Sequence, residues 1–121
     1  VVACTLSGSG MDALQRVDGG RGLRFDVVVV DEATQCCEAE LLIALQHGCR
    51  LLCLIGDHQQ LPPTIKSAAA TRGGMATSLF ERLVKAGAAR AVLDVQYRMH
   101  PALAHLPNKL WYDGQLGDGT Q

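Results

Sequence analysis

The chain has 121 residues, 48% of them hydrophobic, and a formal net charge of −1. That suffices for one small globular layer and excludes a strongly basic chain or an acidic tail, although a local groove can be basic in a neutral protein. The apolar runs fall far short of the ~18–20 residues of a membrane helix, and the opening "VVACTLSGSG" lacks the basic start of a signal peptide.

Residues 1–4, "VVAC", read as a short buried strand, and "TLSGSG" (5–10) as its turn-rich exit. A short helix is expected over residues 11–17 and a flexible loop over "DGGRG" (18–22). Phe25–Val30 is a continuous β-branched run, the pattern of a strand covered on both faces in a parallel sheet. Glu38–Gln46 reads as a helix with Leu41, Leu42 and Leu45 on its apolar side and Gly48 at its stop. Leu51–Ile55 is a second apolar strand, followed by a polar, Pro-bearing loop over Gly56–Ser67. Residues 67–76 suit either a mobile loop or the first turn of a poorly defined helix. Ser78–Lys85 is a helix, with Ser78 as N-cap and Gly87 just past its end. Ala91–Val95 reads as a third strand, and His100–Tyr112 as helix in pieces, broken at Pro107. Strand, helix, strand, helix, strand is the order of an α/β fold.

The five cysteines, Cys4, Cys36, Cys37, Cys49 and Cys53, form no CxxC pair and sit largely within or beside apolar segments. They suit a reducing, intracellular setting, nucleus or cytoplasm. A set of Cys36, Cys37, Cys49 and His47 matches no zinc spacing, so no structural zinc is expected.

Ligands in open parallel sheets sit outside the carboxyl ends of the strands. Three strands here end in polar clusters: Asp31-Glu32, Gly56-Asp57-His58-Gln59-Gln60, and Gln96-Tyr97-Arg98. At the end of a desolvated strand, two adjacent acids can divide two jobs. One holds a hard cation, directly or through water, and the other polarises an attacking water. A bare Asp-Glu is equally a solvated strand end whose acids cap the helix that follows. Gly56 permits a tight turn, which would direct Asp57 and Gln60 toward the crevice of Asp31. A side-chain amide can bind a phosphate oxygen without adding charge. Arg98 supplies a permanent positive fork for phosphate oxygens, and Tyr97 a flat face for a base. Taken singly, these are also an ordinary turn, a surface Arg and a half-buried Tyr. His100 is expected to cap or pack.

In order along the chain, "VVVVDEATQ", "LIGDHQQLPPT" and "VQYRMHPAL" resemble motifs II, III and IV of superfamily-one helicases. The resemblance is to the group of the up-frameshift RNA helicase, senataxin and the immunoglobulin-mu-binding helicase, and it spans essentially the whole chain. It implies a RecA-like P-loop NTPase fold, a parallel sheet with flanking helices, with ATP between two such domains and a single nucleic-acid strand across them. Carried over by motif, Asp31 holds Mg²⁺ through water and Glu32 activates the hydrolytic water. Gln60, supported by Asp57, contacts the γ-phosphate, and Gln35 links motifs II and III. Tyr97 lies near the adenine. Arg98 is an arginine finger, a group worth ~10³ or more in rate. "ACTLSGSG" resembles motif Ic, with Thr5 as the nucleic-acid contact.

No G-x-x-x-x-G-K-[ST] occurs in these residues. The chain is therefore expected to be an internal piece of a helicase: residues 1–92 the last part of the first RecA-like domain, residues 93–121 the start of the second. Alone it is expected to be inactive. The implied partner is single-stranded RNA or DNA, with translocation from five-prime to three-prime. The competing reading is a RecA-like nucleic-acid-binding or scaffold protein that has lost catalysis. A flavodoxin-like domain leaves "QYRMHP" without a purpose.

Overall fold

A computed structural model describes residues 1–16 and 22–119. It divides into two compact units, Val1–Ala88 and Ala89–Gln121.

In the first unit, strand β1 (Val27–Val30) pairs in parallel with β2 (Leu51–Leu54), with Val30 opposite Leu54. Parallel neighbours need a crossover, which helix α3 (Glu38–Leu45) provides. Helix α5 (Leu79–Lys85) completes the layer, capped by the Ser78 hydroxyl, which accepts from Glu81 N at 3.1 Å. The core is Val30, Ala33, Leu41 and Leu79, surrounded by half-buried Val28, Leu52, Leu54, Leu45, Phe80 and Leu83. Alternate strand residues thus face the helices.

Among the described residues the sheet is covered on one face only. Val27 is 49% exposed and Val29 59%, and Leu51 on the neighbouring strand is also exposed. The valine run, read as covered on both sides, carries no helix against its second face among the described residues. Leu42 likewise differs from expectation, being exposed while Leu41 and Ala44 are buried. At 100° per residue, positions 41, 44 and 45 share a face and position 42 turns away from it.

Residues 1–5 form no regular structure, and Val1–Cys4 are exposed rather than a buried strand. They pair with no strand among the described residues, although Val2–Leu6 line a cavity of about 430 Å³ together with Val27–Val30 of β1. The segment after them makes two single-turn helices, α1 (Leu6–Ser9) and α2 (Asp12–Gln15). The helix expected over 11–17 is therefore shorter, and residues 17–21, including most of the expected loop, lie outside the described residues. Small residues 67–76 yield helix α4 (Ala68–Arg72), started by the Ser67 hydroxyl accepting from Ala70 N at 3.3 Å.

In the second unit, the third strand is shorter than expected and shifted. Strand β3 is Val95–Gln96, paired in parallel with β4 (Gly117–Asp118). A two-residue partner supports only a two-residue ladder, which leaves Val92 and Leu93 exposed. Helix α6 (Pro101–Trp111) is continuous through Pro107, where a break was expected. The missing N–H costs one bond, but both ends are fixed. His100 Nδ1 accepts from Ala102 N at 3.2 Å, so His100 is the cap. At the other end the Asn108 amide brackets Leu116, donating to its carbonyl at 2.7 Å and accepting from its N–H at 3.0 Å.

Candidate nucleotide site

The chain leaves β1 through a tight turn. Ala33 N donates to Ile55 O at 2.8 Å, and Ile55 N to Val30 O at 2.8 Å, so the turn is bonded to the strand beside it. Glu32 sits at the crest with φ +51°, a left-handed conformation uncommon for a residue with a side chain. Its N–H donates to Asp31 Oδ1 at 3.0 Å. Its own Oε2 accepts from Gln35 Nε2 at 3.0 Å. Asp31 Oδ2 and Glu32 Oε1 have no partner among the described residues.

Asp31 and Glu32 do not cap the helix that follows. Helix α3 is capped by Cys37, in a reciprocal box in which Cys37 N donates to Glu40 Oε2 at 3.0 Å. The acids of its first turn are Glu38 and Glu40. Asp31 and Glu32 are free of that duty.

The neighbouring strand ends in register with β1, Leu54 opposite Val30. Gly56 follows Ile55, and its role differs from the one expected. Its φ is not positive. A Cβ there would meet Thr34 N at 3.2 Å and Ala33 N at 3.3 Å. Glycine suits this position because the β1 turn passes over it and would crowd a side chain. Beyond it, Asp57 collects the loop: Oδ1 accepts from Gln59 N at 2.9 Å and Oδ2 from Gln60 Nε2 at 2.9 Å. Two polar clusters, residues 31–35 and 57–60, thus leave the same carboxyl edge of adjacent strands ~4.8 Å apart. Each is bonded within itself. The Gln35 amide is spent on Glu32, inside its own cluster. Gln35 also lines a cavity of about 450 Å³ with Pro63 and Thr64, just past the second cluster.

Tyr97 and Arg98 follow β3 in the second unit, where Tyr97 is 73% exposed. Their loop is organised by Gln96, which the sequence left unassigned. Gln96 Oε1 accepts from Arg98 N at 2.9 Å and Met99 N at 2.7 Å. Its Nε2 donates to Met99 O at 2.7 Å and Asp118 Oδ1 at 2.6 Å. The available signal was its place, a side-chain amide at the last residue of a strand before a turn. Thr5 caps α1, its hydroxyl accepting from Gly8 N at 3.0 Å.

Electrostatics at the periphery are local. Arg82 Nε and Nη2 fork onto Glu38 at 2.9 and 2.5 Å. Those bonds hold the Glu38 carboxyl below its usual range and raise Arg82. Burial, with the Glu40 charge, raises the Cys36 thiol, which donates to Ala33 O at 3.3 Å. Cys36 is therefore neutral packing beside the β1 turn. Among the described residues no group of three or more His, Cys, Asp or Glu is placed to hold a metal. The acids do fit Mg²⁺, which is held by one or two carboxylates plus waters and substrate phosphates. Asp31 Oδ2 has no hydrogen-bond partner among the described residues, so it would be open to such an ion.

Residues 1–68 and 75–121 match two families, each described as an AAA domain. The chain is 43% identical over 120 residues to the Regulator of nonsense transcripts 1 homolog of Neurospora crassa, covering 99% of this chain and 10% of that protein. It is 45% identical over 120 residues to the Probable helicase MAGATAMA 3 of Arabidopsis thaliana, covering 99% and 14%. With Helicase SEN1 of Saccharomyces cerevisiae the identity is 42% over 119 residues, covering 98% and 5%. The chain thus spans at most about a seventh of these three relatives. A β1 turn carrying two uncommitted carboxylate oxygens, matched family domains over nearly every residue and this identity to helicases agree: the chain belongs to the AAA-domain family, among the superfamily-one helicases of the up-frameshift and senataxin group.

Proposed function

We propose that this chain supplies half of the ATP site of a nucleic-acid helicase built on RecA-like domains. The observation that carries the reading is the β1 turn. Asp31 and Glu32 stand on a strand end bonded to its neighbour, each with one carboxylate oxygen uncommitted and neither serving as a helix cap.

Bound Mg²⁺ would neutralise charge on the β- and γ-phosphates. In this chain Asp31 would hold it through water. Glu32, oriented by Gln35, takes a proton from the attacking water at Oε1. Gln60, oriented by Asp57, contacts the γ-phosphate through its amide. Arg98 stabilises charge on the transferring phosphoryl group, and Tyr97 stacks on the adenine. Thr5, at the exposed start of α1, contacts the nucleic-acid backbone. We place the boundary between the two RecA-like domains at residues 92–93, in a stretch (88–94) without regular structure. Hydrolysis then opens and closes the cleft between the domains, stepping them along single-stranded RNA or DNA from five-prime to three-prime. The setting is intracellular, nucleus or cytoplasm.

The decisive variant is Glu32→Gln in the whole protein. Nucleic-acid-stimulated hydrolysis is expected to fall by ~10²–10⁴, with ATP binding retained, because the amide keeps the shape and loses the base. Wild-type turnover in that variant would remove Glu32 from the role. The 121-residue chain alone, which contains no G-x-x-x-x-G-K-[ST], is expected neither to bind ATP tightly nor to hydrolyse it. An ATPase assay of the isolated chain checks this.

A further inference from the structure

The Tyr97 ring lies against the backbone of Gly119. An ideal Cβ built on Gly119 would lie 2.1 Å from Tyr97 Cε1, 2.5 Å from Cδ1 and 2.6 Å from Cζ. These are distances no real Cβ keeps. The Gly119 backbone is held in place independently: its N–H donates to Gln96 O at 2.8 Å, as the last rung beside β4. Two residues earlier Gly117 N donates to Asp94 O at 2.6 Å, and between them Asp118 accepts from the Gln96 amide at 2.6 Å. Gln96 thus fixes both the loop that carries Tyr97 and the strand under its ring. The φ of Gly119 lies outside the left-handed region, so backbone freedom does not explain a glycine here. What explains it is the ring.

We infer that Gly119 is a positioning residue for nucleobase recognition: the bare backbone at 119 is the shelf that sets the Tyr97 ring for stacking. The inference rests on the reading of Tyr97 as the base-stacking residue. Physically, Tyr97 is mostly exposed, so few other atoms hold its ring. A methyl group at 119 evicts the ring rather than breaking the ladder, because the ladder bonds use only backbone atoms. An exposed aromatic free to rotate loses the pre-ordering that makes a stacking platform effective.

The experiment uses the whole protein carrying this chain. Dissociation constants are measured for ATP and for inorganic tripolyphosphate, which has no base. Gly119→Ala is expected to weaken ATP roughly 10-fold, within the range of a lost base–aromatic stack, and to leave tripolyphosphate unchanged. Tyr97→Ala is expected to do the same, and Gly119→Ala added to Tyr97→Ala to have no further effect, since the ring it displaces is gone. Equal weakening of ATP and tripolyphosphate by Gly119→Ala overturns the proposal, because that is a general structural loss. Unchanged ATP binding in Gly119→Ala, with weakening in Tyr97→Ala, overturns the shelf and leaves the stacking role intact. Unchanged ATP binding in Tyr97→Ala removes the stacking role, and the shelf with it. Should Gly119→Ala not fold, the unmodified protein still decides. The Gly119 Hα protons are expected to carry a ring-current shift that Tyr97→Ala abolishes, and a shift that persists in that variant overturns the contact.

Discussion

Glu32 and Arg98 are held by different means. Glu32 stands on a packed layer: Leu41 and Ala33 beneath it are fully buried, and the turn bearing it is bonded backbone to backbone with the next strand. Arg98 belongs to a unit whose only buried hydrophobic residue among those described is Ala104, while Leu103, Leu106 and Leu110 of the same helix are exposed. Its loop is shaped by one side chain, Gln96. A core can aim a functional group through the fold as a whole. Where there is little core, a single amide with four hydrogen bonds takes over that task.

The largest expected effect breaks the first arrangement. Leu41→Ala is expected to cost about 2–5 kcal/mol in denaturant unfolding, as a fully buried leucine replaced by a cavity. Leu106→Ala, 62% exposed on α6, is expected to fall within about 0.5 kcal/mol. Equal losses would mean that the two units are not built differently. The second arrangement is tested at Gln96. Gln96→Ala removes the acceptor of the Arg98 amide, which is expected to exchange faster with solvent. In the whole protein the misplaced Arg98 is expected to slow ATP turnover by about 10²-fold, with thermal stability little changed; slow amide exchange in the variant would show that the loop stands without its amide. The smallest effect sharpens the comparison at the surface of the first unit. Glu38 is held below its usual range by Arg82, so it binds protons less readily folded than unfolded. The pair's stabilisation is present above the unfolded carboxyl value, near 4.5, and is lost as pH falls through the folded one. Arg82→Ala is expected to lower stability slightly at neutral pH and leave pH 2 almost unaffected, so that the acid limb of the stability profile flattens. Unfolding curves taken from pH 6 to pH 2 check it.

Much of the first unit was legible because periodicity and burial agree there. Four valines running into two acids specify a strand and what stands at its end. Helix α3 follows from its leucines and its Gly48 stop. What misled was coverage. A run of Val carries no record of whether a second layer exists, so Val27 and Val29 were expected to be buried and are open. The same gap undid the strand at residues 1–4, since a strand exists only with a neighbour. Gly56 was found for the wrong reason: the sequence shows a glycine, but only the fold shows that Thr34 passes over it. The candidate residues of the second unit stood out by type, and the contacts that hold them did not. Gln96, Asp118 and Gly119 lie more than 20 residues apart at the extremes, and nothing local in a chain reports a contact of that range.

The left-handed backbone at Glu32 has an evolutionary consequence. Any side chain there is disfavoured relative to glycine by about 1 kcal/mol, so drift toward stability runs against the acid. With Glu32 as the proposed base, the hydrolysis would rest on a residue that folding alone disfavours. Selection on turnover would then hold the acid at this position, whereas at Leu41 selection on folding suffices.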